Sequence, residues 1–357
     1  GLAQTSQVLG AALITGVLAR VMNARGRRVG LSSGYLLGAS GALLCVLGGI
    51  LRQLPVLLTG TTLLGAGTAA NNQARYAAAD LATPAHHGRA ISLVVWTTAI
   101  GSILGPNLAE PGARLAGALG IPKLTGPFLF GATGLVLGAL IMSIRLRPDP
   151  LLLARELRAP ATQQGDRPRH DSARAGLAAV KGLPIVRSAA IALGLNQAVM
   201  VSVMVMTSIH MDHGGSSLHE IGWVISGHIL GMYAFAPLVG ALTDRFGGAR
   251  VMGAASVTNV AALVLAGESH SGTSWQLGIG LFLLGLGWSF GMIASSTVIN
   301  RGTPLGHRPA VQGLTDMTTG FTAAAGGALA GVIMGGPGYG ALNVFAGILN
   351  LGVLWGA

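Results

Sequence analysis

Apolar segments of about twenty residues, separated by short polar turns, recur along this chain and fix what it can fold into. At about 1.5 Å of rise per residue, each is long enough to cross the ~30 Å hydrocarbon core of a bilayer as a helix. Charged residues are 9% of the chain and hydrophobic ones 51%, with a mean hydropathy of +0.63. A soluble domain carries about 25% charged residues, so this is an integral membrane composition. Many of the 57 glycines lie inside the apolar runs, where small residues let membrane helices pack closely. The single cysteine, Cys45, allows no disulfide within the chain.

The pattern predicts eleven membrane helices, near 1–22, 31–51, 55–75, 90–111, 126–145, 188–211, 218–239, 250–267, 275–300, 310–334 and 341–357. The expected fold class is all-α and polytopic. The first helix starts without a polar lead-in and the last is still apolar at Ala357, so the chain reads as trimmed at both ends, with no signal peptide.

A net charge of +11 raises nucleic acid as a partner, but the distribution of the charge argues against it. Alternate loops hold 19 of the 22 basic residues, and only Arg52, Arg114 and Lys123 lie on the other side. The basic side is expected to be cytoplasmic; Asp212, Glu220 and Glu268 fall opposite. The longest polar interval, 146–187, is rich in Arg and Pro. It reads as a cytoplasmic linker between halves 1–145 and 188–357, with an amphipathic helix around 151–158. Either it is a solvated connector or it binds anionic lipid.

Residues 188–239 form two apolar segments around the turn MDHGGSSLHE. Met200 and Met204 are four apart, as are His228 and Met232, so each pair shares a helix face. Both Met204/His228 and Met200/Met232 are centred on residue 216, in the turn. A symmetric hairpin would bring Met204 level with His228, roughly 18 Å along the helices from the turn centre. Three thioethers and an imidazole at one depth suit Cu(I), a soft ion. Methionine also fills gaps in apolar cores. His228, an ionisable group at membrane depth, is a functional candidate by itself; the alternative is a neutral histidine bonded to a neighbouring helix.

The segment Gly240-Ala-Leu-Thr-Asp244-Arg245-Phe-Gly247-Gly-Ala-Arg250 resembles the loop signature of the major facilitator superfamily. A second copy, Ala19-Arg-Val-Met-Asn23-Ala-Arg-Gly26-Arg27-Arg28, has Asn23 in the place of the acid and Ala19 in that of the first glycine. The resemblance implies two pseudo-symmetric six-helix halves, with the family's first helix missing here, and alternating access about a midplane site. It makes Gly240, Asp244, Arg245, Gly247 and Arg250, with Gly26, Arg27 and Arg28, elements of a cytoplasmic gate. Gly101-Ser-Ile-Leu-Gly105-Pro106 resembles the fifth-helix signature of the family, in which glycines four apart permit close packing and the proline bends the helix. The Met-x-x-x-Met and His-x-x-x-Met pairs resemble those of CcoA-like copper importers, a bacterial branch that includes riboflavin-type transporters. That resemblance implies Met200, Met204, His228 and Met232 as ligands of transported copper.

The function expected is secondary transport in the cytoplasmic membrane, by a monomer without a resident cofactor. Copper import is the leading substrate reading; proton-coupled transport of a small organic molecule, drug-like or riboflavin, is the alternative. No nucleophile–base set and no His-Glu-x-x-His pattern suggests an enzyme. Asp316 is a candidate proton carrier, or a partner of Arg301 or Arg308; Arg75 and Asp80 read as a pair with each other. Asn71, Asn72, Gln73, Asn196 and Gln197 either line a polar path or bond between helices.

Overall fold

The computed structural model describes residues 2–158, 173–270, 272 and 274–355, and these contain helices and no strand. The chain opens with α1, Leu2–Leu51, whose 50 residues bend at Gly26 (φ 87°, ψ 172°). Unbent it would run about 75 Å, more than two hydrocarbon cores; the bend makes it two membrane legs. Next, α2 (Leu54–Asp80) starts beside Pro55, where a missing N–H costs nothing. It is 27 residues long, yet it is not among the eight helices both long and apolar enough to cross a membrane. Its second half is small or polar because it packs inward: Ala69, Ala70, Gln73, Arg75, Tyr76 and Asp80 are all buried.

The expected span 90–111 divides into α3 (His87–Asn107) and α4 (Ala109–Ala118). Pro111 cannot bond to the carbonyl of Asn107, four residues back, and α3 stops there. Then come α5 (Gly126–Arg145), the linker helices α6 (Pro150–Arg158) and α7 (Ala173–Gly182), and α8 (Pro184–His213). The amphipathic linker helix expected at 151–158 is α6. Residues 159–172 of the linker lie outside the described residues.

A capping box formed by Ser217 and Glu220 starts α9 (Leu218–Tyr233). The expected span 218–239 ends early, because Pro237 leaves the carbonyl of Tyr233 without its helical partner; α10 (Ala236–Phe246) continues it. The remaining helices are α11 (Gly248–Gly267), α12 (Trp275–Gly302), α13 (Arg308–Gly335) and α14 (Tyr339–Trp355).

Two compact units form. One comprises Gly1–Leu81, Gly101–Gly182 and Thr303–Gly320, with a core that includes Leu18, Met22, Leu31, Ala69 and Ala70. The other comprises Ala82–Ile100, Leu183–Gly302 and Phe321–Ala357, around Val199, Val203, Met206, Leu263, Leu281 and Leu342. Large apolar side chains such as Ile144, Val257 and Ile348 face outward, as lipid-facing helices require.

Candidate functional site

The two signature copies share one backbone event. Gly247 has φ 87° and ψ 152°, close to Gly26 at φ 87° and ψ 172°. These glycines are equivalent in the two copies, and side-chain-bearing residues avoid that region of φ. Around the second copy, in the second unit, the Asp244 carboxylate caps the start of α3. It accepts from the backbone N–H of Gly88 (2.8 Å) and Arg89 (3.0 Å), and from Arg301 Nη2 at 2.6 Å. Gly240 lies against Gly88, where an added Cβ would sit 2.6 Å from the Gly88 carbonyl oxygen. Arg245 and Arg250 are exposed, Arg245 over the Phe246 ring at 5.2 Å.

The first copy belongs to a buried charge network in the first unit. Arg27, fully buried, donates from Nε to Asp80 (2.8 Å), from Nη1 to Gln73 (3.2 Å) and from Nη2 to Gln312 (2.5 Å). Asp316 accepts from Arg75 Nη2 at 2.6 Å and from Gln73 Nε2 at 2.8 Å. Arg308 lies 3.8 Å from Asp80. Three guanidiniums and two carboxylates thus tie α1 and α2 to the first turns of α13. The pairings differ from the sequence expectation. Arg75 meets Asp316 rather than Asp80, Asp80 meets Arg27, and Arg301 meets Asp244 rather than Asp316. Arg75 and Asp80 are five apart, about 140° around the helix, so they do not pair directly with each other.

In the second unit, Met200 and Met232 are buried, Met204 is half-buried and His228 is fully buried. His228 turns toward α12: its Nδ1 lies 2.7 Å from the carbonyl oxygen of Leu281. Its Nε2 is buried with no hydrogen-bond partner among the described residues. Gly231 and Gly285 let α9 lie directly on α12; a Cβ at Gly285 would meet the Met232 nitrogen at 2.9 Å. The helical neighbour of His228 is thus α12, whereas the hairpin argument looked to α8.

On α8, Asn196 and Gln197 share a side with Met200 and Met204. Gln197 Oε1 accepts from the indole N–H of Trp288 at 2.6 Å, and Asn196 donates to the Trp288 carbonyl oxygen. Tyr233 meets the Trp288 ring edge-on at 5.8 Å. The result is an aromatic and amide face that joins α8, α9 and α12. Sequence reasoning singled out Gln197 but missed Trp288 and Tyr233, which carry no pattern. It also missed Gln312, although Gln312 is one turn from Asp316 on the same face. Around Gly101 and Gly105 a Cβ would meet nothing within 4 Å. The Pro106 side chain lies outside the described residues.

Comparison with known proteins agrees with this architecture. The family profile described as the Major Facilitator Superfamily matches residues 1–214 and 188–357. The MFS-type transporter YdeG of Bacillus subtilis is 37% identical over 342 residues, covering 96% of this chain and 78% of YdeG. The riboflavin transporter RfnT of Brucella anthropi is 28% identical over 342 residues, covering 94% of this chain and 80% of RfnT. The crystal structure of the human organic anion transporter MFSD10 superposes with a TM-score of 0.78 at 18% identity, covering all of this chain and 83% of its own. The chain belongs to the major facilitator superfamily and is a multi-pass membrane transporter.

Proposed function

We propose that this protein carries a small organic solute with a planar, hydrogen-bonding ring system, of the riboflavin class, across the cytoplasmic membrane by alternating access, driven by a proton that binds Asp316. The observation that carries the substrate class is the face made by Trp288, Tyr233 and Gln197, with one ring held edge-on and an amide beside it. Stacking on such rings and hydrogen bonding to the amide suit a flat heteroaromatic molecule. The similarity to RfnT supports the same class. On this reading the basic loops and the linker 146–187 are cytoplasmic, and the protein works as a monomer. The tie between Arg75 and Asp316, and that between Arg301 and Asp244, close the cytoplasmic gate. A proton on Asp316 releases the first.

A second reading, copper as the transported substrate, has one observation in its favour. The fully buried Nε2 of His228 has no hydrogen-bond partner among the described residues, and on this reading Met200, Met204 and Met232 would be its soft-ligand companions. Uptake of radiolabelled riboflavin and of radiocopper, measured side by side in cells deficient in each, separates the two. The proposal expects riboflavin uptake that collapses with a protonophore and that is weakened in Trp288→Ala when riboflavin is scarce. Copper uptake abolished by Met204→Leu or His228→Leu, with no riboflavin uptake, would transfer the assignment to the metal.

A further inference from the structure

The first signature copy lacks its acid, yet the bend it forms is the same as in the second copy. Residues outside the signature supply what is missing. At Gly26 the helical ladder of α1 is interrupted, and the N–H of Arg28 is satisfied by Asp149 Oδ2 at 2.7 Å. The other oxygen of Asp149 accepts from the N–H of Leu151 (3.1 Å) and Leu152 (3.2 Å), which starts α6. One carboxylate therefore closes the bend of α1 and caps the linker helix, at the position where helices favour an acid. Gly26 allows this approach, since a Cβ there would lie 2.5 Å from the Asp149 carboxylate carbon. Farther along α6, Arg155 donates to Asn23 twice, from Nη1 to the backbone oxygen at 2.9 Å and from Nη2 to Oδ1. Leu151 and Ala154 are buried beneath the helix.

We infer that α6 is a brace in which Asp149 and Arg155 are positioning residues that hold the Asn23–Arg28 bend, and with it Arg27, in the gate network. Asn23 is in this view the partner of Arg155 rather than an eroded acid. Arg27 follows the braced glycine directly, and its guanidinium reaches Asp80, Gln73 and Gln312. The Arg27 rotamer is thus set by a bend that the linker keeps closed. The inference rests on reading that network as the cytoplasmic gate, but its test needs no transported solute.

The test is amide hydrogen exchange on the full chain in lipid nanodiscs, comparing wild type with Asp149→Ala, Arg155→Ala and Asp149→Asn. Amides at 23–30 should exchange about tenfold faster in the two alanine variants, and those at 308–316 about threefold faster, with α8 unchanged, as expected of a local opening. Asp149→Asn keeps one acceptor oxygen and should fall between wild type and Asp149→Ala. Unchanged exchange at 23–30 in both alanine variants overturns the brace. Faster exchange at 23–30 with none at 308–316 reduces Asp149 to a local cap and overturns the positioning role. Arg155→Ala leaves both carboxylate contacts in place, so it carries the test alone should Asp149→Ala fail to accumulate. Failure of the proton-coupling proposal would register separately, in transport by an Asp316 variant.

Discussion

Arg27 is the residue on which the first unit turns. It is fully buried and bonds three different side chains. Removing one partner of a buried ion pair strands the other, at a cost of about 3–5 kcal/mol. Arg27→Ala should therefore lower the thermal midpoint in detergent sharply, measured by loss of monodisperse protein on heating. Arg27→Lys should recover only part, because an ammonium cannot reach Asp80, Gln73 and Gln312 together. A midpoint equal to wild type in Arg27→Ala would remove the network from the stability of the fold. In the second unit, Trp288→Ala should raise the riboflavin KM about tenfold or more, since ring stacking contributes about 1–3 kcal/mol and 1.4 kcal/mol is a factor of ten. The maximum rate should change less, because the gate residues are untouched. Asp244 and Arg27 could be singled out in sequence because a spaced signature surrounds them. Arg155, Asp149 and Trp288 could not, because their partners lie 132, 121 and 91 positions away along the chain.

Individual helices were the most legible level of the structure. Long apolar runs mark most of them because a lipid-facing helix must be largely apolar, and each expected span has its helix, including α2, whose polar second half packs inward. The breaks were less visible, although Pro111 and Pro237 mark two of them through the carbonyls they leave without partners. The bend glycines allow a comparison between the copies. Gly26 and Gly247 both hold φ at 87° with extended ψ, where a Cβ costs about 1–3 kcal/mol. Gly247→Ala should carry that strain alone, since a Cβ there meets nothing within 4 Å. Gly26→Ala should be worse, because its Cβ also collides with Asp149. Thermal midpoints of the two variants check the order, and equal losses would show that the contact with Asp149 carries no weight. Which helix lies beside which was not legible. The hairpin argument paired α9 with α8, but Gly231 and Gly285 admit α9 onto α12, and the histidine follows its helix.

For the whole molecule, the alternation of basic and neutral loops gives an expected direction to every span. The same basic ends hold the ionic ties, Arg75 to Asp316 in one unit and Arg301 to Asp244 in the other. The first joins a helix from before the linker to one from after it, α2 to α13; in the other unit Asp244 does so through its cap on α3. A carrier that alternates must break such ties once per cycle, and a proton on Asp316 is the reagent proposed to break the first. Riboflavin accumulation in proteoliposomes with an alkaline lumen and an acidic exterior tests this directly. Wild type should concentrate the vitamin inside. Asp316→Asn, which cannot bind or release the proton, should exchange it across the membrane in counterflow without concentrating it. Accumulation by Asp316→Asn to the wild-type level would contradict the account.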